Sequence, residues 1–162
     1  MAKKKVYVET TVISDATALP INDLVLMGRQ ISSRKWWNAA IGRFELYCSE
    51  VVKREAARGD PGAAKRRLEA MEEMPELFAT PQALALAERL ILDKAVPKEY
   101  PDDALHIAIA TVSGMDFLVS WNFKHIANAE TIPLVKRICA DNGYVCPEIC
   151  TPDQLEPEEG PG

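Results

Sequence analysis

Apolar residues along the chain follow two periods, and each period predicts a different element. Short runs rich in valine, tyrosine, phenylalanine and leucine predict strands at residues 6–8, 44–48 and 117–119. Val145 and Ile149 indicate a last strand at the edge of a sheet. Longer stretches carry apolar residues three or four positions apart, which is the period of an amphipathic helix. They predict helices, in chain order, over residues 23–40, 49–57, 61 onwards, 81 onwards, 102–112 and 132–140.

Local signals define where these helices begin. Ser49 offers its hydroxyl to the unpaired amides of a first helical turn. The pairs Asp60-Pro61 and Thr80-Pro81 each combine a capping side chain with a proline at the first helical position. The stretch through Ser14, Asp15 and Pro20 is expected to be a polar connection without regular structure.

Strands that alternate with helices predict an α/β fold, a three-layer sandwich whose central, mostly parallel sheet is flanked by helices. The chain has 162 residues, enough for one domain with a proper core, and we expect that domain to span residues 1–155. Residues 156–162 contain only glutamate, proline and glycine. This segment is therefore predicted to be a disordered tail.

The composition limits the functions that the chain can have. Its net charge of -5 argues against a protein that coats nucleic acid, but a local basic rim would still allow a nuclease. The four cysteines form no Cys-x-x-Cys pair, so we expect reduced thiols rather than a zinc ribbon or a redox motif. No apolar stretch reaches the roughly 20 residues of a membrane span. The sequence predicts a cytoplasmic protein without a membrane segment.

Acidic residues stand where predicted strands end and predicted helices begin. Glu9 ends the first strand, Asp102 and Asp103 open a helix, and Asn122 follows the strand at 117–119. In a parallel sheet these positions gather beyond the carboxyl ends of the strands. Glu55, on the second turn of its helix, should point back to the same edge. Converging carboxylates raise one another's pKa values, and a bound Mg²⁺ or Mn²⁺ would remove that conflict by using their oxygens as ligands.

Several of these residues have two interpretations that the sequence leaves open. Either Asp102 or Asp103 could cap the helix while the other enters the site. Asn122 could offer its amide oxygen to a cation or form hydrogen bonds within a turn. His106 lies on the same helix face as Asp103 and could bond to a site carboxylate or be a satisfied histidine at the core edge. Only two histidines are present, which argues against a zinc site.

Four segments of the chain resemble the PIN-domain family, and specifically the VapC-like ribonuclease toxins of type II prokaryotic toxin–antitoxin pairs. They are Val6-Tyr-Val-Glu-Thr-Thr-Val-Ile-Ser14, Ser49-Glu-Val-Val-Lys-Arg-Glu55, Asp103-Ala-Leu-His-Ile-Ala-Ile-Ala110 and Ser120-Trp-Asn122. The resemblance implies a PIN-like fold and an Mg²⁺- or Mn²⁺-dependent endoribonuclease that acts on RNA. It also implies a frequent homodimer and a small antitoxin protein as inhibitor.

The resemblance assigns roles to individual residues. Glu9, Glu55 and Asp103 would be catalytic and would hold the metal, while Asn122 would assist or orient water, with the Ser120 hydroxyl nearby. Glu9 stands where the family usually has an aspartate and is longer by one carbon–carbon bond, roughly 1.5 Å. Asn122 stands where a fourth acid is common, so its neutral side chain reduces the expected affinity for a second metal.

The function predicted from the sequence is metal-dependent hydrolysis of RNA phosphodiester bonds by the toxin of a toxin–antitoxin pair. A catalytically weakened PIN-like module that binds RNA or another protein is the alternative. A nuclease of the same architecture that acts on DNA is a third possibility, which substrate preference would distinguish.

Overall fold

The computed structural model of the protein describes residues 2–157, so Met1 and most of the predicted tail, residues 158–162, lie outside the described part. The strands are β1 (Lys4–Val8), β2 (Phe44–Ser49), β3 (Glu76–Leu77), β4 (Phe117–Val119) and β5 (Glu148–Cys150). The α-helices are α1 (Thr10–Thr17), α2 (Leu24–Ala40), α3 (Glu50–Ala56), α4 (Pro61–Ala70), α5 (Pro81–Leu92), α6 (Pro101–Val112) and α7 (Ile132–Asp141). A 3₁₀ helix, Pro152–Leu155, follows β5.

The five strands form one sheet in the order β3-β2-β1-β4-β5, and every neighbouring pair is parallel. β1 lies at the centre, and its Val6, Tyr7 and Val8 are fully buried. This run of β-forming residues suits a central strand that is covered on both faces, because a parallel sheet needs apolar side chains on each side. The predicted α/β class is confirmed.

Helices cover both faces of the sheet. α1 packs against α2 and α4, and α2 also packs against the 3₁₀ helix. α5 packs against α6 and α7, while α3 contacts α1, α4 and α6. Right-handed crossovers place helices on opposite faces when the strand order runs in opposite directions from β1. The predicted three-layer sandwich is therefore confirmed.

Most of the predicted boundaries are also confirmed. Asp23 caps α2, with its carboxylate 3.0 Å from the amides of Val25 and Leu26. The side chains of Ser49, Asp60 and Thr80 accept hydrogen bonds from the first-turn amides of α3, α4 and α5. These caps act within a few residues of the helix that they start, which is why they are readable from the chain alone.

The predicted polar connection after β1 is wrong, because this stretch forms α1. The Glu9 carboxylate accepts a hydrogen bond from the Thr11 amide at 3.1 Å and so caps the helix, a role that glutamate seldom has. Val12 and Ile13, which belong to α1, are fully buried. Tertiary packing and an unusual cap therefore create a helix that polar residues such as Asp15 had obscured.

Three smaller differences concern the second half of the chain. Neither Asp102 nor Asp103 caps α6, because the helix begins at Pro101 and its N-cap Tyr100 makes no side-chain capping bond. β3 was missed because two residues are too short to show a period. Val145 lies outside β5 and is almost wholly exposed.

The described end of the chain reaches back to α2. Glu156 lies 3.5 Å from the Lys35 ammonium, and Arg43 donates a hydrogen bond to the Leu155 carbonyl at 3.2 Å. No helix within residues 2–157 has the length and apolar character that a membrane crossing requires.

Candidate functional site

A polar cleft of about 330 Å³ opens at the carboxyl edge of the sheet, where the chain order reverses between β1 and β4. Crevices at such a reversal are where open α/β sheets bind ligands. Its lining consists of Glu9, Thr10, Thr11, Ser14, Asp15, Arg29, Glu55, Asp103, Trp121 and Asn122. All four residues that the sequence nominated therefore meet in one cleft. A larger, mainly apolar depression of about 590 Å³ lies elsewhere, beside Phe44 and Tyr47 of β2.

Glu9 is held rigidly at the end of β1. One carboxylate oxygen accepts hydrogen bonds from the hydroxyls of Ser120 at 2.5 Å and Thr11 at 2.6 Å. The other oxygen accepts the Thr11 amide, and the side chain is 3% exposed. Ser120 in turn follows β4, so this carboxylate joins the two strands that border the cleft. A carboxylate oxygen has room for further contacts, so Glu9 can also face a cation.

A chain of buried hydrogen bonds holds Glu55. Its Oε1 atom lies 2.6 Å from His106 Nε2 and 2.7 Å from the Thr10 hydroxyl, which donates to it. His106 Nδ1 lies 2.7 Å from the Tyr7 hydroxyl, which lies 2.7 Å from Ser49 Oγ. Ser49 also accepts the Val52 amide. Both ring nitrogens of His106 are within hydrogen-bond distance of a partner, so the histidine orients Glu55. Both interpretations of His106 therefore apply, because it is buried and it bonds a carboxylate of the site.

The pKa values of these groups follow from burial and from their partners. Burial by itself raises the pKa of Glu55, but the hydrogen bond and charge of His106, with help from Thr10, bring it below its usual value. For His106, burial lowers the pKa, and the bond to Glu55 with the nearby acids raises it above the usual value overall. Burial raises the pKa of Tyr7 far above the ordinary value, which keeps this hydroxyl protonated.

The structure separates the two aspartates at the start of α6. Asp102 turns away and forms an ion pair with Arg54, with the oxygen and nitrogen 2.7 Å apart. Asp103 lines the cleft, where burial raises its pKa more than the hydrogen bond from Asn122 lowers it. Asp103 is half-buried, and a cation bound beside it would lower this pKa.

Asn122 makes the hydrogen bonds of a turn. Its side-chain oxygen accepts the His125 amide at 3.0 Å, and its backbone amide donates to the Ser120 hydroxyl at 2.9 Å. Its side-chain amide is left to bond the Asp103 carboxylate. In this arrangement Asn122 orients Asp103, and its own oxygen is already in use.

Sequence reasoning missed two charged residues of the cleft. Asp15 follows Thr11 and Ser14 at helical spacing, so recognising α1 would have shown all three on one face. Burial raises the pKa of Asp15, against the opposing effect of Arg29. Arg29 comes from the middle of α2 and has no local signal, because only tertiary packing brings that helix to the sheet edge.

The donor atoms of the cleft fit a divalent cation. Ligand atoms of Glu9, Glu55 and His106 lie within 4.8 Å of one another. Because both His106 nitrogens are already hydrogen-bonded, the carboxylates of Glu9 and Glu55 are the available donors of this cluster. Asp103 lines the same cleft but is not part of the cluster. Hard oxygen ligands suit Mg²⁺ or Mn²⁺, and a cation would remove the mutual repulsion of these acids.

Comparison with known proteins shows a likeness in fold. No sequence-family description and no curated protein matches the chain. The fold matches a chain in the crystal structure of VapBC2 from Rickettsia felis bound to a DNA fragment from their promoter. The TM-score is 0.53 and the identity is 11%, over 74% of this chain and 89% of that one. At this identity the likeness shows the fold, and the predicted PIN-like architecture is confirmed.

Proposed function

We propose that the protein is a metal-dependent endoribonuclease, the toxin of a toxin–antitoxin pair. The observation that carries the proposal is the convergence of Glu9, Glu55 and Asp103 in one cleft at the reversal of the sheet. Glu9 follows β1, Glu55 lies on α3 and Asp103 lies on α6. Asp103 caps no helix, so capping does not explain its place in the cleft. The fold likeness to the VapBC2 structure also supports this proposal.

Each proposed ligand has a partner that fixes its direction. Ser120 and Thr11 hold Glu9, His106 and Thr10 hold Glu55, and Asn122 holds Asp103. Such supporting bonds prearrange a site, so that little reorganisation is needed when ligand binds.

Bound at Glu9, Glu55 and Asp103, Mg²⁺ or Mn²⁺ would polarise a phosphoryl oxygen and lower the pKa of a water molecule. The protein itself orients the carboxylates, and Trp121 closes one wall of the cleft. Asn122 keeps Asp103 in place through its amide.

The test is cleavage of a mixed RNA pool by the purified wild-type protein, once with Mn²⁺ and once with a chelator. The Asp103→Ala variant is then tested with Mn²⁺. Asp102→Ala is a matched control, because it removes the neighbouring acid of the same helical turn, which pairs with Arg54 outside the cleft. We expect chelator and Asp103→Ala to abolish cleavage, and Asp102→Ala to keep it. The same assay on DNA of the same sequence distinguishes a DNA-directed nuclease.

An absence of cleavage by the folded wild-type protein on several RNAs would reject the enzyme and favour the non-catalytic binding module. Equal losses for Asp102→Ala and Asp103→Ala would also count against the assigned site, because only Asp103 lines the cleft.

An apolar surface supports the antitoxin part of the proposal. Leu19, Leu24 and Val25, around the start of α2, are 66%, 86% and 68% exposed. The three residues lie within residues 19–25, and exposed apolar surface commonly marks a site of protein–protein contact. Co-expression with the product of a neighbouring short gene, followed by co-purification, tests whether an antitoxin binds and whether cleavage is inhibited.

Two further parts of the proposal are a homodimer and action in the cytoplasm. The four cysteines are free thiols, which is the usual state in a reducing compartment. Sedimentation of the purified protein over a range of concentrations tests the dimer. A purely monomeric protein at every concentration would remove the dimer without affecting the proposed chemistry.

A further inference from the structure

The guanidinium of Arg29 packs against two aromatic rings at one side of the acidic cleft. The Arg29 guanidinium carbon lies 5.1 Å from the centre of the Phe123 ring and 5.9 Å from that of Trp121. Trp121 is nearly buried, whereas Phe123 is 46% exposed. Arg29 is the one basic residue in the cleft lining, and none of the ion pairs within residues 2–157 includes it.

A second aromatic surface lies near the start of α6. The rings of Tyr100 and His125 are 4.3 Å apart between centres and inclined by 34°, and Tyr100 is 50% exposed. Tyr100 precedes Asp103 by three residues, and Phe123 directly follows Asn122. In the chain, an exposed ring therefore lies within three residues of each of Asp103 and Asn122.

We propose that Arg29 and Phe123 form a nucleotide-binding subsite in which the guanidinium binds a phosphate and the exposed ring stacks on an unpaired base. Tyr100 gives a second stacking surface for a base beyond Asp103. The inference rests on the proposed function, because the ligand is the RNA whose phosphodiester would enter the acidic cleft. It adds which residues of this chain would hold a nucleotide beside the acidic cleft.

The physical reasons are charge and stacking. An acidic cleft repels phosphate, and the Arg29 guanidinium, which packs on two rings, is the basic group of the lining that can attract it. Bases stack on aromatic rings whatever their identity, but only when they are not already stacked and paired in a duplex. A subsite of this kind therefore selects unpaired strands without selecting a sequence.

The opposite edge of the sheet offers a matched control. Arg43 lies 4.8 Å from the centre of the Phe44 ring, which repeats the stacked pair at the amino end of β2. Because all strands are parallel, that pair lies away from the carboxyl edge where the cleft opens. Phe44→Leu and Arg43→Gln make the same chemical changes as Phe123→Leu and Arg29→Gln.

The experiment measures binding separately from cleavage. Fluorescence anisotropy in chelator follows the full-length protein on a short single-stranded RNA, on the same RNA in a duplex, and on a strand of abasic sites. Each titration is repeated over a series of salt concentrations. Circular dichroism confirms that every variant is folded.

We expect the wild-type protein to prefer the single strand over both the duplex and the abasic strand. Phe123→Leu should weaken single-strand binding about 5- to 140-fold, the range for losing one stacked base, and should change abasic binding little. Tyr100→Leu should act in the same direction. Arg29→Gln should reduce the slope of log K against log salt by about 0.7, the value for one phosphate contact on a single strand, whereas Phe123→Leu should not.

Equal affinity for single strand and duplex would overturn the inference, as would losses for Phe123→Leu and Arg29→Gln that match those of the Phe44 and Arg43 controls. No detectable binding of the wild-type protein to the single strand would overturn it too. Failure of the proposed function gives a different result: the single strand binds with the expected dependence on Phe123 and Arg29, but Mn²⁺ then produces no cleavage.

Discussion

The hydroxyl of Tyr7 gives the sharpest test of the buried hydrogen-bond chain behind the site. In Tyr7→Phe the ring stays in the centre of β1 and only one oxygen is removed, so the packing is conserved. Tyr7 is fully buried, and its hydroxyl lies 2.7 Å from both Ser49 Oγ and His106 Nδ1. The substitution leaves His106 Nδ1 without a partner, whereas Ser49 keeps its bond to the Val52 amide.

The size of the effect follows from these two contacts. A typical hydrogen bond contributes about 0.5–1.5 kcal/mol net, and a buried group left unpaired costs about 1–3 kcal/mol. We therefore expect Tyr7→Phe to lower the free energy of unfolding by about 1–3 kcal/mol. With a urea m-value of about 2.5 kcal/mol/M, the midpoint should fall by about 0.4–1.2 M.

Urea unfolding followed by circular dichroism and tryptophan fluorescence measures this change. Tyr47→Phe is the control, because the Tyr47 hydroxyl makes an exposed bond to Glu45 at 3.2 Å and its loss should cost less than about 0.5 kcal/mol. Similar midpoints for the two variants would refute the reasoning, since they would show that the buried chain adds no stability. A changed m-value would instead show that the unfolded or native state had changed in compactness.

Three further changes have defined outcomes. Thr80→Ala should lower the free energy of unfolding in urea by about 1 kcal/mol, because it removes the side chain that caps α5. Thr131→Ala should lower it little, because the Thr131 side chain makes no capping bond to α7. Equal losses would contradict the cap assignment. Ser33→Ala should lower the free energy of unfolding by about 1–3 kcal/mol, because Trp121 Nε1 donates to the Ser33 hydroxyl at 2.8 Å and would be left unpaired. An unchanged urea midpoint would count against that bond. Mn²⁺ at a hundred times its dissociation constant should stabilise the folded protein by about 2.7 kcal/mol, measured as a rise in melting temperature. The same rise in Asp103→Asn would argue against Asp103 as a metal ligand.

Local chemistry determined much of the fold. The buried β-forming run at Val6 to Val8 marks the central strand, and Ser49, Asp60 and Thr80 mark helix starts, because each cap contacts amides only two or three residues away. The alternation of strands and helices is likewise sufficient to predict a parallel sheet with helices on both faces. Glu9 and Asn122 meet because they follow neighbouring parallel strands, whose carboxyl ends lie at one edge of the sheet. Glu55 and Asp103 reach the same cleft from α3 and α6.

Only the tertiary structure decided how the site residues are used. The choice of Asp103 over Asp102 depends on Arg54, which is 48 residues away in the chain, and the orientation of Glu55 depends on His106, which is 51 residues away. Arg29 enters the cleft because α2 packs beside α1, and α1 itself depends on the Glu9 cap and on buried Val12. The contacts of Asp102 with Arg54, of Glu55 with His106 and of α2 with α1 join residues far apart in the chain, and no local period or capping pattern encodes them. The chain alone therefore determined which residues gather at the sheet edge, whereas packing decided which atoms face the cleft.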